Sequence, residues 1–177
     1  MKAARVFTLV GIAAFAAGAG LWLATRPAPE PGQLEAPTIG GPALYAATFR
    51  DADGSAQALG RFQDKWLVIN FWATWCGPCR EEMPLFSRLQ GEWASRGVQF
   101  VGLSSEAPDL AQRFGREHAI GYPLWTGSAE VMELSRRLGN TGGVLPHTVI
   151  LAPGGKVIAA KVGAYTQPEL AAALAVK

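Results

Sequence analysis

The chain has 177 residues, of which 49% are hydrophobic and 17% charged, with 16 Lys+Arg against 14 Asp+Glu for a formal net charge of +2. That size and composition describe one globular domain plus a short appendage. They exclude intrinsic disorder, and 21 Gly with 12 Pro are too few for a fibrous or low-complexity chain. No basic tail or stripe points to nucleic acid. Two cysteines and two histidines cannot build a disulfide framework or a convincing structural zinc site, but they can supply one redox pair.

After Lys2 and Arg5, the stretch from Val6 to Ala24 holds no charged residue. Roughly 20 apolar residues, at about 1.5 Å each, match a hydrocarbon core of about 30 Å. With the positive residues on its N-terminal side, such a segment leaves everything after Arg26 outside the cytoplasm. Two readings stand: an uncleaved anchor, prolonged by Leu21-Trp22-Leu23, or a signal peptide cleaved after Ala17-Gly18-Ala19. Both export the domain. A lipoprotein is excluded because both cysteines lie far downstream of any cleavage site. Residues 1–25 are therefore expected to be an anchor or signal peptide, and the Pro- and Gly-rich stretch from Arg26 to Pro42 a linker. The folded domain is expected over residues 43–177.

Within that domain, Leu44–Phe49 reads as a strand, with Asp51-Ala52-Asp53-Gly54 as a hairpin turn and a return segment near Gln57. The apolar, partly β-branched run Trp66–Trp72 reads as a central strand covered on both faces. Met83, Phe86, Leu89 and Trp93 recur at steps of three and four, predicting an amphipathic helix from Cys79 to about Ser95, closed by Gly97. A buried strand follows at Val98–Leu103, then a helix near Leu110–His118, a short strand at Tyr122–Trp125 and a helix at Ala129–Leu138. This alternation indicates βαβ units. His147–Leu151 and Lys156–Val162 form a hairpin across Ala152-Pro153-Gly154-Gly155, and Gln167–Leu174 is a closing helix.

The chemistry sits at Trp75-Cys76-Gly77-Pro78-Cys79, between the central strand and the first long helix. A cysteine opening a helix lies beside unpaired backbone N–H groups and the positive end of the helix dipole, which stabilises its thiolate. Cys76 is thus the expected nucleophile. Cys79, one turn deeper, is placed to displace a partner from a mixed disulfide and is the expected resolving thiol. Pro78 suits a first helical turn, where a missing N–H costs nothing. Half a zinc site is the competing reading, and it lacks a second cysteine pair.

These residues resemble the thioredoxin superfamily. The run Asn70-Phe71-Trp72-Ala73-Thr74-Trp75-Cys76-Gly77-Pro78-Cys79, followed by Arg80-Glu81-Glu82-Met83-Pro84, is similar to the membrane-anchored, extracytoplasmic TlpA and ResA-like thiol–disulfide oxidoreductases. Gly143–Ile150 and Gly154-Gly155-Lys156-Val157 resemble that family's cis-proline segment and final hairpin. The resemblance implies an α/β, thioredoxin-like fold: a central mixed sheet flanked by helices, with an N-terminal hairpin and a βα insertion. It also implies that Cys76 and Cys79 form a redox-active disulfide. Pro146 would be the cis-proline facing that disulfide. Leu145 would offer backbone groups to an extended substrate peptide, beside Trp75, Gly77 and Pro78. No cofactor and no metal are expected.

Two positions modify the thioredoxin pattern. Asn70 stands where thioredoxins carry a buried Asp, and an amide cannot take the proton released when Cys79 attacks. Glu82, three residues past Cys79, matches the acidic residue of the ResA-like branch; partly buried, it would have a raised pKa and exchange protons near neutrality. The competing reading makes Glu82 a solvated first-turn glutamate, as Glu81 is expected to be. His118 and His147 have no partner at ligand spacing, so surface or packing roles are expected, with His147 at most edging the substrate groove.

Three rival functions compete on these residues. A peroxiredoxin needs P-x-x-x-[ST]-x-x-C, yet Ile69 and Ala73 occupy the required positions before Cys76. A disulfide-forming oxidase shares the fold, but Gly77-Pro78 resembles the reducing members. A redox-silent copper chaperone usually recruits His or Met nearby. The resemblance therefore implies a monomeric protein-disulfide reductase on the periplasmic face of a bacterial inner membrane. Its electrons would come from a membrane dithiol donor and pass to disulfides of exported proteins, in cytochrome c maturation or oxidase copper-site assembly.

Overall fold

A computed structural model describes residues 34–174. The predicted anchor or signal peptide, and the linker up to residue 33, lie outside the described residues. Among those described, no helix is long and apolar enough to cross a membrane.

In chain order the elements are α1 (Gly41–Tyr45), β1 (Thr48–Arg50), β2 (Ala56–Ala58), β3 (Trp66–Phe71), α2 (Gly77–Trp93), β4 (Val98–Ser104), α3 (Pro108–Glu117), β5 (Leu124–Thr126), α4 (Ser128–Arg137), β6 (His147–Leu151), β7 (Val157–Val162) and α5 (Gln167–Leu174), with short 3-10 turns at Leu59–Phe62 and Ala94–Arg96. All seven strands form one sheet in the order β2-β1-β5-β4-β3-β6-β7. The β3–β4 and β4–β5 pairs are parallel, because a helix crosses over between each, and the remaining pairs are antiparallel. This is the mixed, helix-flanked sheet that the sequence leads one to expect.

Side-chain alternation along the buried strands divides the core into two layers. Val68 and Trp72 of the β3 segment join Phe100, Met83, Phe86 and Leu89 under α2, α3 and α5. Leu67, Ile69 and Phe71 point the other way, into a layer with Val101, Leu103, Val149 and the α4 residues Val131 and Leu134. A strand apolar on both faces is what the unbroken run Trp66–Phe71 encodes. Helix α2 continues into the 3-10 turn Ala94–Arg96, and that turn is closed, as expected, by Gly97, whose φ of 76° is left-handed. Pro84 sits inside α2 on its exposed side, where its missing N–H leaves the carbonyl of Arg80 without a helical donor.

The structure corrects two expectations near the start of the domain. Leu44–Phe49 is not one strand: Pro42 sits in the first turn of the short helix α1, and only Thr48–Arg50 is extended, meeting β5 at the single pair Arg50–Thr126. The linker expected to run to Pro42 is also shorter. Glu35 N–H donates to Gly139 O at 2.8 Å and Thr38 N–H to Arg137 O at 2.7 Å, while Ile39 is buried. The first donor shares the Gly139 carbonyl with Thr141 N–H and the second satisfies Arg137 O at the end of α4, so a segment with no apolar period is still packed onto the domain.

Candidate active site

Strand β3 delivers the chain to the site and α2 begins it. Trp72 N–H makes the last bond of the parallel ladder, to Leu103 O at 3.1 Å, and Cys76 N–H closes a turn onto Ala73 O at 3.1 Å. Cys76 is the N-cap of α2, and its sulfur accepts from Cys79 N–H at 3.3 Å. The two cysteines form a disulfide with an S–S distance of 2.07 Å. Cys76 retains 5% of its surface and Cys79 none, so an incoming partner meets Cys76 first.

Around the disulfide, Gly77 and Pro78 are exposed, and Trp75 is 74% exposed, the largest value for a large hydrophobic residue among the described residues. The Leu145–Pro146 peptide bond is cis, as the resemblance implies. Pro146 is buried, and half-buried Leu145 packs against the core layer that contains both cysteines.

Glu82 is buried, at 3% exposure, which rules out the solvated alternative. Its Oε1 accepts from Asn70 Nδ2 at 2.8 Å and its Oε2 from Tyr165 N–H at 2.9 Å. Loss of water pushes its pKa from 4.5 up to about 7, against the lowering pull of the two hydrogen bonds and of the Lys161 ammonium. A carboxyl poised there takes and returns protons near neutrality. Asn70 Nδ2 also donates to Thr148 Oγ1 at 3.0 Å, so the amide tethers Glu82 rather than substituting for it. Glu81 is exposed.

Neither histidine is bonded to Glu82 or the cysteines, although His118 lines a surface cavity with Gly77, Arg80 and Glu81. His118 is exposed, stacked on Phe114 with ring centroids 4.0 Å apart. His147 does not edge a groove: it is fully buried, stacked on Phe71 at 5.2 Å in the α4 layer, with Nδ1 3.0 Å from Ser135 Oγ. Burial holds its pKa down at about 4, so the ring is neutral. Among the described residues, no cluster of three or more His, Cys, Asp or Glu could hold a metal ion.

Sequence reasoning missed three residues of the site. Tyr165 supplies its backbone N–H to Glu82 from the turn before α5. Tyr122 is fully buried within electrostatic reach of Glu82, and burial pushes its phenol well above the usual value. Glu106 accepts from both the N–H and the hydroxyl of Thr74. Backbone donors carry no side-chain signal; the one signal for Glu106 was an acid just past the end of a buried strand.

Fold and disulfide together define the class of thioredoxin-fold thiol–disulfide oxidoreductases. Residues 35–160 match the profile of the AhpC/TSA family, and the chain belongs to that family. It is similar to the protein named thiol-disulfide oxidoreductase ResA from Halalkalibacterium halodurans, with 28% identity over 120 residues, covering 66% of this chain and 65% of that one. The protein of the same name from Oceanobacillus iheyensis is 31% identical over 122 residues, covering 68% of this chain and 61% of that one. The chain thus spans just under two-thirds of the length of these two relatives. Among solved structures, a thiol:disulfide interchange protein of the thioredoxin family from Chlorobium tepidum superposes with a TM-score of 0.63 at 26% identity, over 84% of this chain and 97% of that one.

Proposed function

We propose that the Cys76–Cys79 pair is used reductively, on disulfides of exported proteins, by a protein held at the periplasmic face of a bacterial inner membrane through residues 1–25. The observation that carries the reading is a buried carboxyl, Glu82, three residues past a buried resolving thiol, with a pKa of about 7. A dithiol that must deprotonate a shielded cysteine needs such a group.

In the reduced protein the Cys76 thiolate attacks a substrate disulfide. One substrate sulfur bonds to Cys76, the substrate S–S bond breaks, and the departing thiolate takes a proton from solvent. Cys79 then loses its proton to Glu82 and attacks the Cys76 sulfur. The Cys76–Cys79 disulfide forms, the second substrate thiolate leaves and is protonated, and two electrons have moved from dithiol to substrate. A membrane dithiol donor restores the reduced pair. Apocytochrome c and the proteins that assemble oxidase copper sites, which carry paired cysteines, are the substrate class proposed here. Trp75, Gly77 and Pro78 form the rim they meet, with the backbone around Leu145 as the proposed peptide contact.

Replacing Cys79 with Ala tests this, because a partner attacked by Cys76 then stays attached as a mixed disulfide that mass spectrometry identifies. The expected result is a short list of exported proteins bearing paired cysteines, together with a potential well below the roughly −120 mV of a strong periplasmic oxidant. A potential near that value, with many newly exported proteins trapped, reverses the direction of electron flow. Tight Cu(I) binding with nothing trapped makes the protein a copper chaperone. A mature form starting near Gly20 replaces the anchor with a cleaved signal peptide.

A further inference from the structure

Beyond Trp72 the parallel ladder between β3 and β4 stops, yet the chain must still hold Cys76 at the start of α2. Trp72 N–H bonds to Leu103 O, so the period of two puts the next rung from Thr74 N–H to the carbonyl of Ser105. Thr74 N–H donates instead to Glu106 Oε2 at 2.6 Å, and the Thr74 hydroxyl donates to Glu106 Oε1 at 2.6 Å. Ser104 steadies the carboxylate: its hydroxyl donates to Oε2 at 3.2 Å and accepts from the Glu106 N–H at 3.2 Å. Both oxygens of one half-buried side chain therefore grip one residue of the active-site turn.

We infer that Glu106 is a positioning residue for the dithiol, a side-chain rung that ties Thr74 to the end of β4 and so fixes both the Cys76 N-cap geometry and the presentation of Trp75. Short hydrogen bonds to a carboxylate are roughly twice as strong as neutral ones. Their target is well chosen. Thr74 lies between Ala73, whose carbonyl closes the turn onto Cys76, and Trp75, which projects into solvent. Were Thr74 free, that turn could pivot, the Cys76 sulfur would leave the donors of the first helical turn, and the exposed indole would meet partners in many orientations. The inference rests on the oxidoreductase reading above but not on the direction of electron flow.

The test compares Glu106→Ala, Glu106→Gln and Thr74→Val in the full chain, by thiolate absorbance against pH and by turnover of insulin disulfides. Gln keeps an acceptor for Thr74 N–H and offers a donor to Thr74 Oγ1, whereas Ala offers neither. Both lack the charge, so the difference between them isolates the clamp. The Cys76 pKa is expected to be higher in the Ala variant than in the Gln variant, lowering the thiolate fraction about three-fold. KM for insulin should rise about five-fold in the Ala variant with kcat changed less than about two-fold, and the Gln variant should stay near the parent. Thr74→Val, which keeps charge and backbone bond, should fall between. Equal Cys76 pKa and equal KM in the Ala and Gln variants overturn the inference. If the Ala variant does not fold, Thr74→Val decides, and its coincidence with the parent in both measurements overturns it equally. If the parent turns over no insulin, the Cys76 titrations alone decide the role of Glu106, and the Cys79→Ala trapping separately decides the reductase reading.

Discussion

Substituting Glu82 by Gln should change how stability depends on pH, and the structure sets both sign and size. The folded carboxyl titrates at about 7 against 4.5 for a free one, so between those values the folded state holds a proton the unfolded chain has released, and stability falls as pH rises. At about 1.4 kcal/mol per unit, the loss across that window is about 3 kcal/mol. His147 acts in the opposite sense. Its folded pKa of about 4 lies below the ordinary 6.5, so its contribution is present above 6.5 and is lost as pH falls toward 4, again by about 3 kcal/mol. From pH 4.5 to 6.5 the two slopes cancel. The parent should therefore be nearly flat there, and Glu82→Gln should gain about 3 kcal/mol over it between pH 4.5 and 7.5. Gln suits the site because Asn70 Oδ1 has no partner, and a turned Asn70 amide can accept from the new N–H. Urea unfolding of the disulfide-bonded protein measures this: with a slope of about 2 kcal/mol per molar, midpoints should separate by about 1.5 M more at pH 7.5 than at pH 4.5. His147→Asn should show the complementary curve, falling with pH. Parallel profiles for the parent and Glu82→Gln would refute a raised Glu82 pKa and, with it, the proton-transfer role.

In the reduced protein, Glu82→Gln should alter the Cys79 titration more than that of Cys76, checked by alkylation rate against pH. If neither changes, the carboxyl takes no part in the thiol chemistry. Trp75→Ala, at a position 74% exposed, should leave the melting temperature within experimental error, yet weaken turnover of protein disulfides about ten-fold through KM while small disulfides react as before. Gly102→Ala should destabilise the fold by about 1–3 kcal/mol in chemical unfolding. Its methyl would lie 2.6 Å from Leu124 Cδ2 and 3.0 Å from Trp72 Nε1.

The elements that carry the site were the ones most legible in the sequence. A six-residue strand buried on both faces announces itself by composition, and a helix of 17 residues repeats its apolar face often enough to be read from spacing alone. Helix α1 was not legible because five residues are too few for a period, and Leu44-Tyr45 suits the inner face of either element. The packing of 34–39 was hidden for another reason. Its bonds to Arg137 O and Gly139 O are made by backbone N–H groups, with only the Thr38 hydroxyl added, and backbone donors leave no pattern in side chains. His147 takes the packing role rather than the surface one; the sequence left the two open because one polar residue in an apolar strand looks the same whether it faces water or Ser135, and Ser135 is brought there only by the tertiary fold.

At the site itself, local arrangement was readable and environment was not. The step from Cys79 to Glu82 puts both on one helical face, but whether that face is wet depends on Asn70, 12 residues before, and on Tyr165, 83 residues after. The way those partners are arranged explains the Asn at position 70. A carboxyl on β3 together with Glu82 would place two acids within hydrogen-bond distance in a desolvated layer, where like charge would drive one pKa far up and remove it from use. An amide there donates to Glu82 and to Thr148 without adding charge. It holds the acid against the sheet and pulls its pKa part of the way back from what burial alone would set. In the proposed mechanism the exchangeable proton thus sits not on the strand but on the helix that Cys76 caps and Cys79 belongs to, one turn beyond the resolving thiol.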